Sequence, residues 1–238
     1  MINIFTLLKK ATPISWTCAL ILSLTSLASA QPTGLLYDPE PPVDSAYVRV
    51  LLPSEGGKMS VHVDGKVRVA ILDANQVSDY LVLPLGKHVV ELRSIAKPQV
   101  TLSTSLDVIR GRAITLAFMA TQSKAEPIVF EDKTGTNKLK SMLSVYQLAS
   151  SKQVVDIVSA DGTTKVFTGL NFGTLNAVQV NPISIELIAI KTGEEKPFAR
   201  ASLAMTQGSA YSVFLLTKTG GGTFAQVVQN KTERYTGK

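Results

Sequence analysis

Two histidines, His62 and His88, are the side chains in this chain best suited to carry protons near neutral pH. His62 alternates with Val61 and Val63, which predicts a ring facing away from their core. His88 follows the turn Leu85-Gly86-Lys87, and both read as surface-strand residues. Neither stands near a nucleophile-elbow serine, and the chain contains no G-x-S-x-G and no H-E-x-x-H. Two isolated histidines cannot assemble the three or four close ligands of a zinc site. Carboxylates pair at Glu131-Asp132 and Glu194-Glu195, but adjacent strand residues point to opposite faces, and the second pair sits in the loop KTGEEKP. Both pairs read as solvated turn charges. The glycine-rich TKTGGGT (Thr217 to Thr223) lacks the Lys-Ser/Thr ending of a phosphate loop and reads as a hairpin connection. No metal or cofactor site is expected.

Among aromatic candidates for a sugar platform, Tyr47, Tyr146 and Tyr211 fall at apolar strand positions and read as core. Tyr37, Tyr80 and Tyr235 lie outside regular strands and read as exposed. Asn230-Lys231-Thr232 matches a glycosylation acceptor pattern of little specificity.

The elements that would position these residues begin after a leader. Lys9 and Lys10 precede an apolar run from Ile14 to Leu27, and Ala28-Ser29-Ala30 forms an A-x-A cleavage signature, so residues 1–30 read as a secretory signal cleaved after Ala30. The run is shorter than the ~20 residues a spanning helix needs. Cys18, the one cysteine, and Trp16, the one tryptophan, both lie inside it. An exported chain without disulfides must be held by its core. Removing Lys9 and Lys10 from 24 basic residues leaves 22 against 18 acidic ones, a net charge of +4. That balance is too mild for a nucleic-acid partner.

Beyond the leader, apolar and polar residues alternate with period two, as in Ser60-Val61-His62-Val63-Asp64 and Ala177-Val178-Gln179-Val180-Asn181, the signature of strands with one buried face. Asp64-Gly65 and Asp161-Gly162 supply the positive φ angles of two-residue hairpins. The second half repeats the first: SAYVRV (45–50) lies over KSMLSV (140–145), SVHVDGKVRV (60–69) over DIVSADGTTKVF (156–167), and RGRAITLAFMA (110–120) over QGSAYSVFLLT (207–217). Gly65 to Gly162 and Gly111 to Gly208 are both 97 residues apart. About a hundred residues with seven or so strands is the size of a β-sandwich. The chain therefore reads as all-β, two tandem sandwiches at 45–132 and 140–235, with a proline-rich arm at 31–44 and a linker at 133–139 that allows hinge motion at Gly135.

The segments LLYDPEPPVDSAYVRV, SADGTTKVF, VNPISIELIAIKTG and the glycine-led strand at Gly208 resemble the AlgF family of alginate biosynthesis proteins, over nearly the whole chain after the leader. The resemblance implies a periplasmic, non-catalytic subunit of an exopolysaccharide O-acetylation system. Its implied partners are periplasmic acetyltransferases, a membrane-bound O-acyltransferase and the polysaccharide itself. Ile114-Thr115-Leu116 stands where the family carries tyrosines, which leaves the polymer open between alginate and cellulose. Pro39, Pro41 and Pro42 fix φ and remove backbone donors, giving a stiff segment suited either to a partner's groove or to capping the first sandwich. The candidate partner-binding residues are Tyr37, Asp38, Pro39, Pro42, Ser45 and Arg49. Two other classes remain open, a polysaccharide-binding module and an acetyl carrier using a strand serine such as Ser45 or Ser209.

Overall fold

The computed structural model describes residues 42–235, apart from 53–56, 97–99, 120–125, 150–152 and 219, and the backbone alone at 100–101. The leader and Tyr37, Asp38 and Pro39 lie outside the described residues. The alternating segments become sixteen strands, and no helix occurs among the described residues. The first eight are β1 (Ala46–Leu51), β2 (Met59–Val63), β3 (Lys66–Leu72), β4 (Leu81–Leu83), β5 (Gly86–Ser94), β6 (Val100–Val108), β7 (Ala113–Ala117) and β8 (Ile128–Asp132). The second eight are β9 (Ser141–Leu148), β10 (Val155–Ser159), β11 (Lys165–Leu170), β12 (Thr174–Val180), β13 (Ser184–Lys191), β14 (Pro197–Ala204), β15 (Ala210–Thr217) and β16 (Thr223–Gln229).

Each strand has a counterpart eight places later. The first half forms sheets β3-β2-β5-β6 and β4-β1-β7-β8, and the second forms β11-β10-β13-β14 and β12-β9-β15-β16. In each half one inner pair is parallel, β1 with β7 and β9 with β15. The glycines that lead β7 and β15 make the same bond: Gly111 N–H donates to Ser45 O and Gly208 N–H to Lys140 O. Both have φ just above +70°, a conformation only glycine adopts without strain. The outer hairpins also share two register shifts, between β2 and β3 and between β10 and β11. The β2–β3 turn places both Asp64 and Gly65 at positive φ, as expected, whereas at Asp161-Gly162 only the glycine is there. Asp161 instead accepts hydrogen bonds on Oδ1 from Ser159 and Thr163.

Three cores separate four stacked layers. Val48 and Val50 of β1 meet Val61 of β2 and Val90 and Leu92 of β5 in the first. Leu143 and Val145 of β9 meet Ile157, Leu187 and Ala201 in the second. The third lies between the halves, where Leu51, Ala117 and Phe130 pack against Tyr146, Leu148, Phe214 and Leu216. Each inner sheet is therefore buried on both faces, which accounts for the unbroken burial of β7 and β9. Burying a Leu or Phe side chain contributes about 1.5–3 kcal/mol, so this third core holds the halves together. Gly135, in the expected linker, lies against the second half: a Cβ placed on it would come within 2.9 Å of the Gln179 amide, and the described residues belong to one compact unit.

Candidate functional site

Arg49 lies on the face of β1 opposite Val48 and Val50, and that face meets the second half instead of water. Its side chain is 1% exposed. A guanidinium there must have its donors matched, and each of its three nitrogens has at least one acceptor. Nε donates to Thr115 Oγ1 at 2.8 Å, Nη1 to Asn230 Oδ1 at 2.9 Å, and Nη2 to Tyr146 Oη at 2.8 Å and Ser212 Oγ at 2.9 Å. The countercharge is Asp132, 3.8 Å from Nε. Its Oδ2 accepts from Tyr80 and Thr115, both at 2.6 Å, and its Oδ1 from Tyr146 at 2.7 Å. Ser212 Oγ in turn donates a hydrogen bond to Asn230 Oδ1 at 2.8 Å. The guanidinium also stacks 4.5 Å from the centre of the Tyr80 ring. Burial pushes the phenols of Tyr80 and Tyr146 far above the usual tyrosine range, against the pull of Arg49, so both remain neutral donors to Asp132.

Internal symmetry explains the residue types. Arg49 pairs with Thr115 across β1 and β7, and Ser144 with Ser212 at the equivalent place across β9 and β15. Asp132 faces Ala113 in the first half, and Asn230 bonds to Ala210 in the second. One half brings an ion pair; the other brings neutral groups that complete its hydrogen bonds.

Several sequence expectations change here. Arg49, expected to face a partner, is an interior residue, because β1 is covered on both sides; Ser45, which precedes β1, is buried but borders a cleft. Asp132 is buried and only Glu131 is a surface charge, paired with Arg112 at 2.8 Å. Tyr80 is buried beneath the C-terminal segment, and Tyr235 is half-buried. Tyr146 and Tyr211 are core residues as expected, while Tyr47 is half-buried. Pro42 is exposed.

The histidines are also covered, at 8% exposure for His62 and 6% for His88. His62 Nε2 meets Ser60 Oγ at 3.0 Å, and Ser60 Oγ also reaches Arg93 O at 3.3 Å. His62 Nδ1, the nitrogen a catalytic acid would orient, has no hydrogen-bond partner among the described residues. His88 Nδ1 meets Asp64 Oδ2 at 2.7 Å and Nε2 meets Pro84 O at 2.8 Å. Both partners are acceptors, so both bonds form when the ring carries both protons, and no nitrogen is left for a nucleophile. The hydrogen bond from His88, with a second from the Val89 N–H, holds the Asp64 carboxyl below its usual range. His88, Asp64 and Ser45 do line one cleft of about 600 Å³, beside Pro42, Arg68 and Glu233. Ser45 is 4% exposed there. Among the described residues no cluster of three His, Cys, Asp or Glu side chains could hold a metal.

The family described as "Alginate O-acetyl transferase AlgF" matches residues 19–212. The chain belongs to the AlgF family. It is 25% identical over 210 residues to the alginate biosynthesis protein AlgF of Pseudomonas aeruginosa, covering 87% of this chain and 90% of that one. With the AlgF protein of Pseudomonas fluorescens it shares 24% identity over 202 residues, 85% of each chain. The solved C-terminal domain of AlgF from P. aeruginosa aligns with 39% of this chain and all of its own length, at 18% identity and a TM-score of 0.33.

Proposed function

We propose that this AlgF-family chain is a periplasmic, non-catalytic subunit of the machinery that O-acetylates alginate, coupling acetyl-transferring enzymes to the export complex. The observation that carries this reading is the engagement of its reactive side chains. His88 is bonded at both nitrogens, His62 meets a serine with no orienting acid among the described residues, and Arg49, Asp132 and two tyrosines are engaged where the halves join. Family membership supplies the pathway. The arm before Pro42 is the partner-docking segment in this reading, since its prolines lower the ordering cost of binding.

Deleting residues 35–44 in the producing bacterium tests it. The expected outcome is secreted alginate without O-acetyl groups, together with a truncated protein of unchanged thermal transition. Normal acetylation by the truncated protein would overturn the docking role. A truncated protein that no longer folds would assign the arm to capping the first sandwich.

A further inference from the structure

An edge strand carries a row of unpaired backbone N–H and C=O groups, which is where an all-β protein can add a strand from another chain. Several edges here are blunted. β3 carries Lys66, Arg68 and two register shifts, β4 is extended by the bridge between Tyr80 and Thr232, and β14 opens with Pro197 and lies against β16. β6, the counterpart of β14 and the outer strand beside β5, is not closed against β8 in that way. The ladder shows which of its groups face outward. Val89 donates its N–H to Asp64 Oδ1 and accepts the Asp64 N–H on its carbonyl, so its backbone turns toward β2. Along an antiparallel strand the two groups of one residue share a side, and the sides alternate. Val90 and Leu92 therefore turn to Thr104 and Leu102, their partners on β6, and Ser103, Ser105 and Asp107 turn their N–H and C=O groups away from the sheet. Among the described residues nothing bonds to that edge. Ser103, Ser105 and Asp107 are exposed, and Thr104 is half-buried.

The strand is also nearly its own reverse. Residues 100–108, VTLSTSLDV, read alike from either end except that Thr101 answers Asp107. We propose that β6 pairs antiparallel with β6 of a second copy of this chain, about a two-fold axis through Thr104, and joins two outer sheets into one. A two-fold contact sets residue i against j and j against i. In this register Ser103 of one copy stands opposite Ser105 of the other with their outward groups face to face, so both N–H···O bonds of each pair form. Leu102 stands opposite Leu106, both residues of the first core, and carries that apolar row across the axis. Thr104 stands opposite itself, and hydroxyl pairs of this kind stabilise a sheet. Asp107, the one charged residue of the strand, stands opposite Thr101 and away from the other copy's Asp107, so no like charges are opposed. Any extended chain could satisfy the free backbone groups. What the reversal of 100–108 adds is a match of side chains to a second copy on both faces of the sheet.

Sedimentation equilibrium of the full chain after the leader tests the assignment. The unaltered protein is expected to pass from monomer to dimer as its concentration rises. Ser105→Pro removes an outward N–H, a change that an edge strand accommodates. Ser103→Lys combined with Ser105→Lys sets lysine opposite lysine on both sides of the axis and leaves the core untouched. Each is expected to weaken association by about tenfold or more, with an unchanged thermal transition as the sign that the variant is folded; the lysine variant decides if the proline variant is not. Thr104→Cys is expected to give a disulfide-linked dimer on mild oxidation, because the chain beyond the leader has no other cysteine. Val129→Cys, at an exposed position of β8, is expected to stay monomeric under the same treatment. An unaltered protein that remains monomeric overturns the assignment and leaves the edge to a strand of another protein. Dimers that persist undiminished in the folded lysine variant overturn it equally, as do disulfides that form as readily in Val129→Cys as in Thr104→Cys.

Discussion

A charged side chain between two protein layers is tolerated only while every partner stays in place. Removing Arg49 leaves Asp132 buried among three hydroxyls with no countercharge. Breaking such a pair from one side costs about 3–5 kcal/mol. Arg49→Met is therefore expected to lose that much stability in urea unfolding, and Arg49→Met with Asp132→Leu to lose far less than the sum of the single changes. Asp64 sets a pH dependence of definite sign. Its folded pKa lies below the usual 3.8, so its contribution is present above 3.8 and is lost as pH falls through the lower folded value. Asp64→Asn should flatten the acid limb of the stability curve in that window. Little of this was legible in the sequence. Arg49 sits in Tyr-Val-Arg-Val as an outward strand residue would, and Asp132 stands beside the exposed Glu131. Their burial comes from a partner sheet about a hundred residues away in the chain, and local alternation carries no signal of it.

More of the element pattern is legible in the sequence. The repeated 97-residue spacing of glycines located the same turn in both halves, and the alignment of 45–50 with 140–145 matches the Ser45 and Lys140 carbonyls that those turns engage. The TKTGGGT hairpin is likewise present, joining β15 to β16 with Thr217 opposite Thr223. Period two failed for the inner sheets because it predicts one wet face, whereas Ser144, Thr115 and Ser212 are small polar residues on a face that is covered. Symmetry also ranks substitutions. A Cβ at Gly208 would lie 3.3 Å from Lys138 O, while one at Gly111 meets nothing within 4 Å. Both carry positive φ, so Gly111→Ala is expected to cost about 1–2 kcal/mol from backbone strain. Gly208→Ala should cost more, as a difference in thermal midpoint between the two variants would show.

For the whole molecule, a third core and the hydrogen bonds that Arg49 and Asp132 of the first half make to Tyr146, Ser212 and Asn230 of the second make one body of four layers. Thermal unfolding followed by circular dichroism should show a single transition, and solution scattering a single rigid particle. Leu148→Asp, which places a charge in the core between the halves, should split the transition in two. Such a body would hold its surfaces at fixed separations, which suits the coupling role proposed above. The central claim is that this chain brings surfaces and no reactive centre to acetyl transfer. Intact-mass measurement of the purified protein after incubation with an activated acetyl ester tests it most directly. The account predicts an unchanged mass apart from hydroxylamine-resistant acetylation of lysines; a hydroxylamine-labile acetyl group on Ser45, Ser60 or Ser209 would contradict it.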